Sequence, residues 1–188
     1  TLASRRGGGR FSSAKSRRSP AEESAVADAG ENRDRWLAMS EDELWRQCRH
    51  ETCRGSGPGG QKRNKTESAV RVIHLPSGIS AEDDTSRSQH QNRLHALRKL
   101  RLEIALQVRR DEPPAVTGPA PGLKAEAFPR WVAAALDALA ANGFRLADAA
   151  VQLGLSTSRF SKELAKHSAV WQVVNKERER LGLGLLRQ

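Results

Sequence analysis

Gly59-Gly60-Gln61 closes the run GSGPGGQ, which begins at Gly55. A glutamine amide does not titrate near neutral pH, so Gln61 cannot serve as a general base; it can position a reactant and donate hydrogen bonds. Gly59 and Gly60 admit backbone conformations closed to other residues and let the main chain approach a surface without a Cβ clash. Lys62, Arg63 and Lys65 follow at once. They suit either the neutralisation of phosphates or a solvated basic loop. No Gly-Lys-Ser/Thr stands at the distance a P-loop requires, and no βαβ unit surrounds the glycines as a dinucleotide fingerprint would need. Taken alone, the run also reads as a flexible hinge. His74, His90 and His95 have no Ser or Asp arrangement that suggests a nucleophilic hydrolase. Cys48 and Cys53 are not a CxxC pair, and with His50 they lack the second cluster that would complete a metal site, so neither metal nor cofactor is expected.

The elements that must hold this loop can be read around it. Ser40 and Glu43 have capping-box spacing and open a short helix through Leu44 and Trp45. A strand is expected near 51–54 ahead of the glycines, and a single helical turn over 64–68 behind them. Val70, Val72 and His74 alternate with Arg71, Ile73 and Leu75, which predicts a strand over 69–75. Pro76-Ser77-Gly78 is a turn signal, and 79–83 should return as the antiparallel partner. Ser86 and Gln89 suggest a second capping box, opening a helix to about Arg110 with Leu94, Leu97, Leu100, Ile104 and Val108 on one face. Arg93, Arg98, Lys99, Arg101 and Arg109 would decorate the remainder. The expected fold is a small α+β domain over 36–110.

The chain has 188 residues, of which 37% are hydrophobic and 29% charged, with a formal net charge of +10. That balance points to a polyanionic partner, nucleic acid first. Aromatics are only 4% and tyrosine is absent, which argues against a base-stacking platform. No apolar run approaches the roughly 20 residues that cross a bilayer, so no membrane partner is expected. Residues 1–35 begin with Arg5, Arg6, Arg10, Lys15, Arg17 and Arg18 and no acid before them, and they read as a disordered basic arm. The arm suits contact with RNA or an organellar transit peptide; otherwise a cytoplasmic monomer is expected. Residues 111–128 contain Pro113, Pro114, Pro119 and Pro121 and read as a stiff linker. Over 129–188 an all-α module is expected: a helix from Pro129 to Asn142-Gly143, a helix-turn-helix pattern over 146–164 turning at Gly154, and a last helix capped by Ser168 and ended by Gly182.

GSGPGGQ, NKTESAV, PSGI, RSQ and Asn92, in this order and spacing, resemble the catalytic domain of class I peptide chain release factors. The resemblance covers roughly Glu43 to Arg110, and its layout is most like the short, codon-independent members that rescue stalled ribosomes. It implies an α+β domain with an extended Gly-Gly-Gln loop and a ribosome-dependent hydrolysis of peptidyl-tRNA, by attack of water on the ester between peptide and tRNA. Gly59, Gly60 and Gln61 would be catalytic. The Gln61 backbone N–H would stabilise transition-state charge, a donor typically worth about 10²–10³ in rate, and its side chain would admit water. Lys62, Arg63, Lys65, Arg87 and Arg93 would contact RNA, with large-subunit RNA and peptidyl-tRNA as partners. Relatives carry His-Val or a similar pair after the glutamine, where this chain has Lys62-Arg63.

Stop-codon reading is not expected, since no codon-reading tripeptide stands in a suitable setting. In the helix-turn-helix, the second helix would present Ser156, Ser158, Arg159 and Lys162 to DNA, RNA or a protein, or would simply brace its neighbour. The competing reading for the whole chain is a non-catalytic ribosome- or nucleic-acid-binding protein derived from a release factor domain.

Overall fold

The computed structural model describes residue 30 and residues 32–53, 68–111 and 116–187. Helix α1 covers residues 32–38 and so begins within the stretch 1–35 expected to be an arm. Helix α2 (Glu41–Arg46) follows, opened by the expected capping box: Glu43 N–H donates to Ser40 Oγ at 3.3 Å and Ser40 N–H donates to Glu43 Oε2 at 2.8 Å. The bond from Ser40 N–H, with a second from Ser40 Oγ to the same Oε2 at 2.7 Å, holds the Glu43 carboxyl below its ordinary pKa.

Strands β1 (Cys48–Cys53), β2 (Ala69–His74) and β3 (Ser80–Asp83) form one antiparallel sheet with β2 in the centre. The first strand starts earlier than the 51–54 expected. Val70, Val72 and His74 of β2 are buried, as the alternation predicts, Ala69 is buried with them, and Gly78 turns at φ +69°. Helix α3 (Gln89–Gln107) lies against β2 and β3, and α4 (Phe128–Ala141) packs on α3. Flanked on two sides, α3 buries Ala96, Arg101 and Ala105 as well as Leu97, Leu100 and Ile104. Leu94 and Val108, expected in the buried stripe, are only half-buried. Arg101 and Arg109 do not decorate the surface as expected. Arg101 is 3% exposed, and Arg109 folds back to donate to the carbonyls of Ala105, Leu106 and Val108 at the end of α3.

Helices α5 (Leu146–Gln152), α6 (Thr157–Ala165) and α7 (Ser168–Arg180) complete the chain, packing in succession on α4. Gly143, Gly154 and Gly182 take positive φ at the three expected stops. Ser168 is the first residue of α7 rather than its cap; His167 occupies the cap position, without a side-chain cap bond. One continuous buried cluster runs from the sheet through α3 and α4 to Phe160, Leu164 and Val174. Residues 116–127 join it: Gly118 N–H donates to Leu153 O at 2.7 Å, and Trp131 Nε1–H donates to Gly118 O at 2.9 Å.

His74 is fully buried, edge-on to Trp36 at 4.7 Å, with its ring nitrogens 2.7 Å from Ser77 Oγ and 3.3 Å from Gln47 Oε1. Burial pushes its pKa down to about 4. Between the ordinary value near 6.5 and about 4, the unfolded chain binds a proton that the folded chain excludes, so stability falls as pH falls through that window. The expected loss at pH 5 relative to pH 7 is about 2 kcal/mol. Urea midpoints at the two pH values will register it, and His74→Gln should remove most of the difference.

Candidate functional site

Cys53 and Ala69 are register partners at one end of the β1–β2 ladder. The chain therefore leaves the sheet and returns to it at adjacent positions, with GSGPGGQ between them. Gly59, Gly60, Gln61, Lys62, Arg63 and Lys65, and the helical turn expected over 64–67, lie outside the described residues. What the structure gives is the platform from which that segment is held.

The returning end is fixed by Asn92, on the first turn of α3. Its Nδ2 donates to Ser68 O at 2.6 Å and to Ser86 O at 2.8 Å, and its Oδ1 accepts from Ser86 N–H at 2.7 Å. One fully buried amide thus ties the residue before β2 to the approach to α3. Sequence reasoning gave Asn92 no role, although a signal existed: it lies on the stripe that continues through Ala96, Leu97 and Leu100. A polar side chain on a buried stripe needs bonded partners.

The same network moves the helix start. Ser88, not Ser86, caps α3, accepting from Gln91 N–H at 3.4 Å. Ser86 instead donates from Oγ to Gln91 Oε1 at 2.6 Å and accepts from Ser88 N–H at 3.1 Å. Arg87, between them, is exposed. Because Asn92 bonds both Ser68 and Ser86, Arg87 stands beside the returning end of the segment. Arg93 is engaged elsewhere: its guanidinium lies 4.1 Å from the centre of the Trp45 ring and its Nη2 donates to Asp42 Oδ1 at 3.0 Å. Trp45 stacks in turn on His50 of β1 at 4.4 Å. This stack, Arg93–Trp45–His50, braces α2 against α3 and β1.

On the other edge, Asp83 at the end of β3 accepts from Thr85 Oγ1 at 2.6 Å and Thr85 N–H at 3.0 Å, with Lys99 Nζ at 2.8 Å. Burial opposes its charge, yet Lys99 and Thr85 outweigh it and hold the carboxyl at about 2. His95 therefore does have an acidic neighbour, contrary to expectation, with Nδ1 3.4 Å from Asp83 Oδ1 and 3.2 Å from Thr85 Oγ1. Both contacts use the same ring nitrogen, so His95 cannot relay a proton from Thr85 to Asp83 as a triad would. His74 has Ser77 but no carboxylate. Cys48 donates to Leu44 O, and burial pushes its thiol up to about 11, which leaves it unreactive.

In the helical module, Ser156 caps α6 by accepting from Arg159 N–H, and Arg159 pairs with buried Glu163 at 3.1 Å. All four side chains expected on the outer face, Ser156, Ser158, Arg159 and Lys162, are exposed.

Residues 42–117 match the RF-1 domain family. Peptide chain release factor 1 of Xylella fastidiosa (strain 9a5c) is 52% identical over 54 residues, which are 29% of this chain and 15% of that protein. The peptide chain release factor 1 of Paracidovorax citrulli (strain AAC00-1) is 57% identical over 56 residues, 30% of this chain and 16% of the other. That of Acidovorax sp. (strain JS42) gives 57% over 56 residues, with 30% and 15% covered. The chain thus spans about a sixth of the length of the relatives it matches.

Proposed function

Residues 42–117 form a domain of the class I peptide chain release factor family, and from that premise we propose that this protein hydrolyses the ester of peptidyl-tRNA on the ribosome without reading a stop codon. The observation that carries the reading is the placement of Gly59-Gly60-Gln61. They fall in a segment whose ends are register partners on an RF-1 domain, with the returning end clamped by Asn92. A segment held at its root can present its tip to a partner without the domain having to move.

In this reading Gly59 and Gly60 bring the main chain against RNA, and the Gln61 backbone N–H stabilises the charge that develops as water attacks the ester. The Gln61 side chain admits water and excludes larger nucleophiles. Lys62, Arg63 and Lys65 neutralise phosphates along the segment, and exposed Arg87 extends that basic surface at its root. Arg93 contributes by bracing α2 and leaves the edge of its guanidinium for RNA. Large-subunit RNA and peptidyl-tRNA are the partners, and the protein acts as a cytoplasmic monomer, or inside an organelle if its basic arm is an address. The division of labour assigns 36–110 to hydrolysis and 129–188 to docking, with 111–128 between them. Independence from the stop codon is proposed on the resemblance to the short rescue members and on the helical module packed on α3.

The test is release of labelled peptide from ribosomes stalled without a stop codon, with cosedimentation run in parallel. Release by the parent, abolished in Gly59→Ala and Gln61→Ala while ribosome binding persists, is the expected result. Binding without release would favour the non-catalytic reading, for which the departure at Lys62-Arg63 is the observation. Absence of salt-sensitive ribosome binding would remove both.

A further inference from the structure

A cavity of about 660 Å³ opens where the RF-1 domain meets the helical module, between α3, the segment 123–126 and the start of α4. Its described lining mixes cations with apolar side chains. Arg98, Lys99 and Arg101 share one turn of α3, and Lys124 comes from the segment 123–126. Glu41 and Glu126 are the only acids in the lining, and Glu41 sits 4.0 Å from Arg98. Lys99 is engaged by Asp83. Lys124 and Arg101 have no ion pair among the described residues.

Arg101 is the telling group. Its side chain is buried, its Nη2 donates to Met39 O at 2.6 Å, and its Nε has no hydrogen-bond partner among the described residues. A guanidinium held out of water without a carboxylate is costly, and its uncompensated charge in the wall favours an anion in the cavity. His167 Nδ1, also in the lining, is a second buried polar atom without a partner. Between these cations the floor is apolar, made by Leu102, Leu123, Phe128 and Pro129.

We propose that this cavity binds a nucleotide, with its phosphate among Arg98, Arg101 and Lys124 and its base on the apolar floor. The volume lies within the range of small-ligand sites, and charge on one side with an apolar surface on the other matches a phosphorylated ring better than a bare anion or an extended acidic peptide. The nucleotide is either free or one residue of a single RNA strand. None of its described lining residues is among those assigned above to the release reaction.

Calorimetric titration of the full chain with adenosine 5′-monophosphate, with hexa-adenylate RNA and with inorganic phosphate tests this. Arg98→Glu combined with Lys124→Glu, both exposed positions, should weaken binding by about tenfold or more. Lys176→Glu, exposed on α7 and outside the lining, should bind as the parent does. Tight binding of the monophosphate alone assigns a free nucleotide, and preference for the hexamer assigns an RNA strand. The proposal is overturned if neither binds, if the double variant binds like the parent, or if inorganic phosphate binds as tightly as the monophosphate.

Discussion

Asp137→Ala is expected to destabilise the protein by about 3 kcal/mol, the low end of the cost of breaking a buried ion pair, because Arg33 keeps a second carboxylate in Asp34. Asp137 lies on α4 at 3% exposure, and Arg33 of α1 meets it with both ends of its fork, Nη1 to Oδ1 at 2.8 Å and Nη2 to Oδ2 at 2.7 Å. The same carboxylate accepts from Arg110 N–H at 3.1 Å, and Arg33 also reaches Val108 O at 3.2 Å. Three pieces distant in sequence converge here: α1, the end of α3, and α4. Burial alone would lower the Arg33 pKa, but Asp137 and Asp34 outweigh it and the guanidinium stays firmly charged. Alanine at 137 therefore leaves the buried guanidinium to half-exposed Asp34 alone, at 2.8 Å, and takes the acceptor from Arg110 N–H. Urea unfolding followed by tryptophan fluorescence measures the loss. A double variant, Arg33→Met with Asp137→Leu, should regain part of it, because an apolar pair removes the need to hold that guanidinium out of water. If Asp137→Ala costs under about 1 kcal/mol, the pair is not what joins α1 and α4.

The polar clamps separate what the sequence could reveal from what it could not. Signals confined to a few neighbouring residues were legible: the Ser40–Glu43 box, the alternation through Val70, Val72 and His74, and glycines at 78, 143, 154 and 182 where φ must be positive. Local chemistry decides such features, whatever the rest of the chain does. The start of α3 was ambiguous for a local reason, since Ser86–Gln89 and Ser88–Gln91 have the same spacing. The choice falls to Ser88 because Ser86 N–H is taken by Asn92, six residues on. Arg33, Arg101 and Arg109 were read as arm or surface because charge usually stays in water. The burial of Arg33 and Arg101 depends on a carboxylate and a carbonyl that only the fold brings near, whereas Arg109 turns back on carbonyls of its own helix end. The candidate site divides in the same way: Gly59, Gly60 and Gln61 stand out by composition, whereas the residue that anchors their segment does not.

That anchor gives the second large expectation. Asn92→Ala removes three short hydrogen bonds at a fully buried position and leaves Ser86 N–H and the carbonyls of Ser68 and Ser86 without this partner. Each buried orphan costs about 1–3 kcal/mol, and water reaching the edge near Ser68 recovers part of it, so a net loss of about 2–4 kcal/mol is expected. Asn92→Asp probes direction. A carboxylate still accepts from Ser86 N–H but cannot donate, and it faces two carbonyl oxygens, so it should be no better tolerated than alanine. If the release reading holds, loosening the root of 54–68 by about an ångström should slow peptide release by about 10²-fold, while cosedimentation with ribosomes changes little. Asp137→Ala is the control for stability, since it weakens the fold far from Asn92 in sequence and leaves the Ser68–Asn92 bond in place. Assayed below its unfolding temperature, it should release at nearly the parent rate. Equal slowing in the two variants would make Asn92 a general stabiliser. Slowing confined to Asn92→Ala and Asn92→Asp would make it a positioning residue, acting on the reaction through the backbone at Ser68.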